Sequence, residues 1–327
     1  MDFNIIRSAR AVLHVTSLEA SRRFYVDALG FIETYSDSES IYLRGLEEHC
    51  HHSLVLKKSE KPALEVISYK VQSEKDLEGL EKLFQSRGLK TKWMEAGTQL
   101  ALGRALRVQD PAGFPIEFFF KMDKVERYLQ RYDLYRGAAI QRIDHFNCAV
   151  SDTEKTFEFY KKELGFRCSE YTTTENGKVW AAWIHRKGNV HDVAFMNSEG
   201  PRLHHVAFWL SDPMSVIHTC DVLASLGYAS SIERGPGRHG LSNAFFLYLR
   251  DPDGHRIELY NGDYLTCDPD FEPIRWDLDD PRRQTFWGNA APDRWFNEAS
   301  SVLDIQTGEV VVSASPVLEK RKPTFII

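Results

Sequence analysis

Three side chains in the second half of the chain have the residue types of a metal site. His145 and His205 lie in separate strand-like segments, and Glu258 stands alone in a third. Two imidazoles and one carboxylate from separate strands can form a facial triad that leaves coordination positions open. Because the set contains no thiolate, it suits Fe(II) or Mn(II) better than a closed zinc site. Zinc held by two histidines and a glutamate remains an alternative.

Three further side chains could act on a substrate near this triad. His191 has the near-neutral pKa that suits an acid or base, and the pattern places it in a strand. Tyr248 lies on a strand where an inward phenol could donate a hydrogen bond to a bound oxygen. Asn147 shares the face of His145, because side chains two positions apart in a strand point the same way. A surface histidine and a half-buried tyrosine are the alternative interpretations.

A Gly-rich turn at 235–240 is predicted to lie at the mouth of a cavity. Arg234 and His239 bracket this turn, and the planar guanidinium could hold a carboxylate through two hydrogen bonds. A solvated loop charge is the alternative for Arg234. The same period-two rule predicts that His204, next to His205, points away from the triad and has a structural role.

The sequence is duplicated. Segments 18–31 and 153–166 have helical patterns that end in Leu-Gly-Phe, with glycine where a helix commonly stops. A second pair, at 109–117 and 250–258, reads Asp-Pro-x-Gly and ends in Ile-Glu, which predicts a turn followed by a strand. The two copies are 135 to 141 positions apart, so they differ by a short insertion.

Each half contains two copies of a smaller unit. Strands near 10–16, 64–71, 143–150 and 203–210 precede helices at 17–29, 73–87, 153–164 and 213–226, and each helix is followed by more strands. This pattern predicts an α+β protein of four βαβββ modules, paired into two domains that each curl around a cavity. The predicted domains are 1–135 and 136–262, joined by a charged helix within 121–140. Residues 263–327 are predicted to cover the second domain.

The duplication supplies an internal comparison between the halves. Aligned on the repeats, the first half holds Arg10 opposite His145, Val66 opposite His205, Glu117 opposite Glu258 and Arg107 opposite Tyr248. A metal needs all of its ligands at once. The sequence therefore predicts that only the second half binds an ion.

Composition excludes several classes of function. With 327 residues, a net charge of -6 and no basic cluster, the chain has no signature of nucleic-acid binding. No apolar run approaches the roughly 18 residues that cross a bilayer, and no secretory signal is visible. The five cysteines are scattered without a CxxC motif, which predicts reduced thiols in the cytoplasm.

The hairpin from Gly237 to Glu258, with Tyr248, Asp251, Pro252 and Gly254 between, resembles the signature of the extradiol ring-cleaving dioxygenases of the vicinal oxygen chelate superfamily. The resemblance covers essentially the whole chain. Segments 143–147, 181–187, 200–208 and 232–240 resemble the members that cleave 3,4-dihydroxyphenylacetate. It implies a glyoxalase-like and bleomycin-resistance-like fold, a role in the breakdown of aromatic compounds, and a homotetramer.

The resemblance also implies roles for individual residues. His145, His205 and Glu258 would bind Fe(II), or Mn(II) in some members, with O₂ as co-substrate. The other implied roles are acid or base for His191, support of the reacting groups for Tyr248 and Asn147, and substrate contact for Trp183, Arg234 and His239. The family also uses an arginine of the C-terminal cover against the substrate carboxylate. Aligned without gaps, Gln284 falls at that position, and a shift of one residue would bring in Arg283.

Three alternatives remain at this stage. The same chemistry could act on another catechol, such as a biphenyl diol. A metalloenzyme of the superfamily could instead isomerise its substrate or add a thiol without O₂. A metal-free binding module is the third alternative, since the first half is already predicted to lack a metal site.

Overall fold

Each half of the chain folds around its own mixed β-sheet, as the α+β prediction requires. The computed structural model describes residues 2–319. In this part of the chain the first sheet has the order β2-β3-β4-β1-β5-β8-β7-β6. Its strands are β1 Ile5–Val15, β2 Ile32–Ser36, β3 Ser40–Arg44, β4 Leu54–Lys58, β5 Ala63–Val71, β6 Thr91–Met94, β7 Ala105–Gln109 and β8 Pro115–Phe119.

The second sheet has the order β14-β15-β16-β13-β9-β12-β11-β10-β17, and β18 pairs with β13. Its strands are β9 Arg142–Val150, β10 Arg167–Thr173, β11 Val179–His185, β12 Val193–Asn197, β13 Arg202–Trp209, β14 Ile232–Arg238, β15 Phe245–Arg250, β16 Arg256–Asn261, β17 Ile274–Asp277 and β18 Ser300–Ser301. The two sheets therefore repeat one strand arrangement, and β17 and β18 are additions from the C-terminal segment.

The four predicted helices form within about two residues of their expected bounds, and the last two helices, both short, were not predicted. They are α1 Leu18–Arg22, which continues as a π-helix over Arg23–Ala28, α2 Lys75–Ser86, α3 Thr153–Glu163, α4 Pro213–Ser225, α5 Pro281–Gln284 and α6 Asp293–Asn297. Asp152 and Asp212 cap α3 and α4 by accepting hydrogen bonds from Lys155 and Ser215 backbone N–H groups at 3.0 and 2.8 Å. Gly165, which follows α3, has φ of +70°, a conformation that glycine adopts without strain.

Strand register confirms the alignment of the two halves. In the second half, Ala207 of β13 pairs with both His145 of β9 and Glu258 of β16. In the first half, Ser68 of β5 pairs with both Arg10 and Glu117. Arg10, Ser68 and Glu117 in the first half are therefore equivalent to His145, Ala207 and Glu258 in the second. Val66, two positions before Ser68, is likewise equivalent to His205, two positions before Ala207.

The repeated motifs hold the two halves together. Tyr25 of the first half donates a hydrogen bond to Asp251 of the second at 2.9 Å, and Tyr160 of the second donates to Asp110 of the first at the same distance. All four side chains are buried. The Leu-Gly-Phe helix ends and the Asp-Pro-x-Gly turns are thus docking elements between the halves.

The aromatic core also crosses between the halves. The ring of Phe31 meets Phe208 edge-on at 4.8 Å between centroids, and Phe166 meets Tyr69 in the equivalent way at 5.6 Å. One continuous hydrophobic core therefore includes both sheets and the inner faces of α2 and α3. Burial of this apolar surface is the main stabilising contribution to the fold.

The connection between the halves differs from the prediction. Residues 121–140 are mostly irregular and contain one short 3₁₀ turn, Tyr132–Leu134, so the prediction of a bridging helix is wrong. Backbone hydrogen bonds to the first half hold this segment extended, for example from Val125 to His49 at 2.8 Å. Charged residues at helix-like spacing therefore reflect solvent exposure here.

The C-terminal segment runs over the second sheet. β17 extends that sheet beside β10, and residues around 283–295 reach the strands that carry the predicted ligands. Residues 320–327 of the predicted cover lie outside the described residues. Within residues 2–319, no helix is long and apolar enough to cross a membrane.

Candidate metal centre and active site

The three predicted metal ligands meet on neighbouring strands. His145, His205 and Glu258 each expose 3% of their surface or less, and their ligand atoms lie within 4.8 Å of one another. Nε2 of His145 and Nε2 of His205 lie 2.9 and 3.1 Å from the same oxygen of Glu258, Oε2. Ala207 of β13 lies between His145 and Glu258 in the strand register, and His205 is two residues before it on the same strand.

Asp144 orients the first imidazole. Its Oδ2 atom lies 3.0 Å from Nδ1 of His145. Burial alone would raise the pKa of Asp144, but Lys187 at 3.1 Å and His145 hold that pKa well below its usual range. The ionised carboxylate can only accept, so Nδ1 of His145 donates and Nε2 faces Glu258. Tyr260 also donates a hydrogen bond to Asp144.

His204 orients the second imidazole. Its Nε2 atom donates to the backbone carbonyl of Trp295 at 3.0 Å, since a carbonyl can only accept. Burial, with Arg256 nearby, holds the pKa of His204 well below its usual value, so this neutral ring must accept at Nδ1. Nδ1 of His205, 2.8 Å away, is therefore the donor, which leaves the lone pair of His205 Nε2 directed at Glu258.

Strand periodicity predicts the wrong direction for His204, which lies beside His205 in its structural role, and the reason is specific. The β9–β13 register shifts between Leu203 and His205, and again opposite Asp144. Each shift is a β-bulge, in which an extra residue turns its side chain out of the alternating pattern. His204 and Asp144 are those extra residues. Each residue directly precedes a ligand histidine, which was the only sequence signal for its role. The bulges themselves are visible only in the strand pairing.

Burial and mutual charge set the protonation of Glu258 and His205, whereas Asp144 and Glu258 raise the pKa of His145 against the effect of burial. Burial would raise the pKa of Glu258, yet His205 and His145 hold it well below its usual value. Burial lowers the pKa of His205 to about 4, against the opposing charge of Glu258. An ionised carboxylate and a neutral imidazole are the forms that bind a metal ion.

One cavity opens beside this cluster, and every predicted site residue lines it. The members come from β9, β11, β13, β14, β15 and β16, from the loops before β12 and after β14, and from the C-terminal segment. The predicted residues are His145, Asn147, Trp183, His191, His205, Arg234, His239, Tyr248, Glu258 and Arg283; Gln284 and Trp295 also line the cavity.

His191 lies against the metal cluster, but in a loop. It precedes β12, so the prediction that it lies in a strand is wrong. Its ring centroid is 3.8 Å from that of His145. Burial, followed by the nearby His145, lowers the pKa of His191 well below its usual value, so the ring is neutral and able to accept a proton.

The next residue, Asp192, holds the His191 loop in place. One carboxylate oxygen accepts from the backbone N–H groups of Arg186 and Lys187 at 2.6 and 3.0 Å. The other accepts from the backbone N–H and hydroxyl of Ser8 at 2.6 and 3.0 Å. Ser8 belongs to the first half, so the half without metal ligands helps to position His191. No sequence pattern pointed to this contact.

Tyr248 and His239 form a hydrogen-bonded pair on the cavity wall. Nδ1 of His239 donates to the carbonyl of Gln284, which leaves Nε2 to accept from the Tyr248 hydroxyl at 3.0 Å. Burial lowers the pKa of His239 to about 3, so the ring is neutral. Tyr248 also pairs with Glu258 in the strand register. The phenol is therefore oriented by His239 and by the C-terminal segment.

Arg234 presents donors to the cavity. Its guanidinium carbon lies 4.8 Å from the ring centroid of Phe246 and 4.7 Å from that of Trp295. Nη2 donates to the hydroxyl of Thr285 at 2.6 Å. Nε and Nη1 are buried and have no hydrogen-bond partner within the described residues. Since buried donors are nearly always paired, this arginine is suited to an anionic ligand.

The residues fit an Fe(II) or Mn(II) ion. The donor set is two imidazole nitrogens and one carboxylate, and outer hydrogen bonds orient both imidazoles. Asn147 Oδ1, which lines the same cavity, is buried without a hydrogen-bond partner in the described part of the chain. A hydroxyl group of a bound molecule would satisfy it.

Comparison with known proteins identifies the family. Residues 142–259 match the model of the Glyoxalase/Bleomycin resistance protein/Dioxygenase superfamily, and residues 64–123 match the catechol 2,3-dioxygenase-like N-terminal domain. A manganese-dependent 2,3-dihydroxybiphenyl 1,2-dioxygenase of Geobacillus genomosp. 3 is 31% identical over 88% of this chain and 95% of its own length. The chain belongs to the extradiol catechol dioxygenases.

Solved structures of the same family match this chain over almost its whole length. An anaerobic complex of homoprotocatechuate 2,3-dioxygenase from Brevibacterium fuscum with 3,4-dihydroxyphenylacetate is 45% identical, with a TM-score of 0.93 over 96% of this chain and 98% of that chain. The Arthrobacter globiformis homoprotocatechuate 2,3-dioxygenase is 44% identical, with a TM-score of 0.92 over 95% and 96%. The vicinal-oxygen-chelate fold of this extradiol dioxygenase is thereby confirmed.

Proposed function

We propose that this dioxygenase opens the ring of 3,4-dihydroxyphenylacetate beside its two hydroxyl groups. Both atoms of O₂ enter the product, 5-carboxymethyl-2-hydroxymuconate semialdehyde, so the overall reaction needs no other reductant. The observation that carries the proposal is a single cavity that joins the His145, His205 and Glu258 cluster to His191 and to the buried guanidinium of Arg234. The two similar homoprotocatechuate dioxygenases support the choice of substrate.

The cavity residues divide the reaction between them. His145, His205 and Glu258 would hold an Fe(II) or Mn(II) ion, which would supply Lewis-acid and redox chemistry for the catechol and O₂. The neutral imidazole of His191 accepts a proton from a catechol hydroxyl and returns a proton when the O–O bond breaks. Asn147 and Tyr248 orient the oxygen atoms by hydrogen bonds, and the surrounding burial excludes bulk water.

The side chain of the substrate has its own contacts in this proposal. Arg234 holds the carboxylate through Nε and Nη1, while Trp183 and His239 border the ring. Arg283 and Gln284 both line the cavity, and we assign Arg283 the second contact with the carboxylate because it carries the positive charge. Residues 136–262 form the catalytic domain, residues 1–135 the half without a metal, and the C-terminal segment the cover.

A product assay tests the proposal. Metal-loaded protein is mixed with 3,4-dihydroxyphenylacetate without air, and O₂ is then admitted while the absorbance of the yellow semialdehyde is recorded. His191→Phe is expected to lose at least about a hundredfold in kcat while keeping its metal, because a general acid or base typically contributes 10²- to 10⁴-fold. His218→Phe, at an exposed position, is the control. Absence of a coloured product from the metal-loaded wild type would reject the assignment.

A second candidate substrate is a biphenyl diol, because the similar manganese-dependent enzyme of Geobacillus genomosp. 3 is named as a 2,3-dihydroxybiphenyl 1,2-dioxygenase. Arg234→Leu separates the two. It is expected to lower kcat/KM for 3,4-dihydroxyphenylacetate by at least about tenfold and to leave 2,3-dihydroxybiphenyl almost unaffected, because only the first substrate carries a carboxylate. Equal losses on both substrates would contradict a carboxylate contact at Arg234, and a higher kcat/KM of the wild type for 2,3-dihydroxybiphenyl would favour the biphenyl diol.

Location and assembly complete the proposal. We infer a cytoplasmic homotetramer that acts on a small catechol and on neither nucleic acid nor membrane. The family resemblance supports the tetramer. Light scattering after size-exclusion chromatography tests the mass, and a monomer would contradict it.

A further inference from the structure

A buried glutamate outside the metal centre joins three segments at the catalytic cavity. Glu170 of β10 is 1% exposed. Its Oε1 atom accepts hydrogen bonds from the backbone N–H of Ser242 at 2.7 Å and from the hydroxyl of Tyr264 at 2.5 Å, and Oε2 accepts from the indole of Trp276 at 2.7 Å. Within residues 2–319 no ion pair involves Glu170, so these donors are what compensates its burial.

The first of these segments forms part of the cavity wall in an unusual backbone conformation. Leu241 and Ser242 line the cavity beside the predicted site residues. Ser242 and the following Asn243 have φ of 54° and 55°, in the left-handed region that residues with a Cβ atom rarely adopt. A conformation of this kind persists only where neighbouring contacts hold it. The bond from Ser242 N–H to Glu170 is such a contact.

The other two donors belong to the C-terminal segment. Tyr264 and Trp276 pack with Leu241 and Trp183 in one hydrophobic cluster at the cavity. Trp276 also lies against Gly240, where an added Cβ would come within 3.0 Å of its ring. The C-terminal segment and the 240–243 loop therefore support one another, and Glu170 is the acceptor that both share.

We propose that Glu170 is a positioning residue for substrate binding, which it promotes by holding Leu241, Ser242 and the C-terminal segment in place around the substrate. The proposal rests on the dioxygenase function above. Within residues 2–319 no hydrogen bond or ion pair joins Glu170 to a metal ligand, so its effect acts on binding of the catechol and not on retention of the metal.

The variant Glu170→Gln tests this proposal in the metal-loaded enzyme. Glutamine has nearly the same shape, but its NH₂ group would face a donor, whichever way the amide is turned. KM for 3,4-dihydroxyphenylacetate, and its Kd by anaerobic calorimetry, are expected to rise about tenfold. kcat is expected to change less than threefold, and metal content to stay constant. Glu175→Gln, on the exposed turn after the same strand, is the matched control.

The double variant Tyr264→Phe with Trp276→Phe gives an independent test if Glu170→Gln does not fold. It leaves Glu170 unchanged and removes two of its three donors, so KM and Kd are expected to rise in the same direction. An unchanged Kd in either folded variant overturns the proposal, as does a parallel loss of metal and kcat. Failure of the proposed function would look different, since wild type would then bind 3,4-dihydroxyphenylacetate without consuming O₂.

Discussion

The two halves of this protein solve the same electrostatic problem in different ways. Glu117 and Glu258 occupy equivalent buried positions, and each is 2% exposed or less. In the first half the guanidinium of Arg10 binds Glu117 at 2.7 Å, and Arg107 adds a second bond at 2.9 Å. In the second half two imidazole nitrogens face Glu258. A buried carboxylate needs a partner of opposite charge. In the first half that partner is an arginine side chain of the protein, whereas in the second half the ligands leave the place for a metal ion.

The outer contacts differ in the same way. Both halves share β-bulges at two equivalent positions, where the extra residues are Ala9 and Glu65 in the first half and Asp144 and His204 in the second; the first half has a further shift at Ile6. Asp144 and His204 each orient a ligand imidazole, whereas Ala9 can orient nothing. The shared bulges therefore supply a place for an outer residue, and in the second half both outer residues support a ligand imidazole.

The largest expected effect comes from copying the first half into the second. His205→Val introduces the residue found at position 66. The variant is expected to lose its metal and to fall in activity on the order of a thousandfold or more, because the ion supplies the chemistry of the reaction. Metal analysis of the purified protein together with the O₂-uptake rate measures both. His218→Val is the control, and a His205→Val protein with one full equivalent of metal would contradict the comparison.

The next effect concerns the cation of the first half. Arg10→Met leaves Glu117 without its closest positive partner, and removal of one member of a buried ion pair costs about 3 to 5 kcal/mol. Urea denaturation of the metal-free protein measures the loss, while the folded variant keeps its full metal content. Arg23→Met, which breaks an exposed pair with Glu19, is expected to cost less than about 1 kcal/mol. Equal losses in the two variants would show that Arg10 has no special role.

A smaller effect is expected from the outer contact of His145. Asp144→Ala gives the second half the alanine found at position 9, and it is expected to weaken metal binding about tenfold to a hundredfold, as loss of an outer hydrogen bond to a ligand imidazole typically does. Competition with a chelator of known affinity measures the change. Asp133→Ala, which breaks an exposed pair with Arg131, should bind metal like wild type. Unchanged affinity in Asp144→Ala would exclude Asp144 from the metal centre.

The smallest effect tests the symmetry between the halves. Tyr25→Phe and Tyr160→Phe each remove one hydrogen bond to a buried aspartate that keeps its backbone donors, so each is expected to cost about 1 kcal/mol. Burial raises the pKa of Asp110 to about 6, and the Tyr160 hydroxyl opposes this rise. Loss of that hydroxyl therefore costs more at pH 8, where Asp110 is ionised, than at pH 5.

The pH dependence has a definite sign. A carboxyl whose pKa is higher in the folded state than in the unfolded chain contributes stability at low pH and loses it as pH rises through about 6. Urea midpoints of wild type and Tyr160→Phe at pH 5 and pH 8 measure the difference. A Tyr160→Phe effect that is larger at pH 5 would contradict the assigned hydrogen bond.

Local patterns in the sequence determined much of this protein. The duplication, the helix ends and the strand-borne ligands follow from periodicity, caps and repeated motifs, all of which act over a few residues. The difference between Arg10 and His145, and between Val66 and His205, was also visible once the halves were aligned. That difference was sufficient to assign the metal to the second half.

The tertiary structure alone decided how these residues are supported. Bulges turned Asp144 and His204 toward the ligands against the period-two rule, because an inserted residue changes the pairing of strands that are distant in sequence. Contacts across the halves, such as Ser8 to Asp192, and the meeting of three segments at Glu170 likewise join residues separated by up to 184 positions. A local pattern specifies which side chains are present and which way a strand alternates, whereas the packing of remote segments decides what those side chains contact.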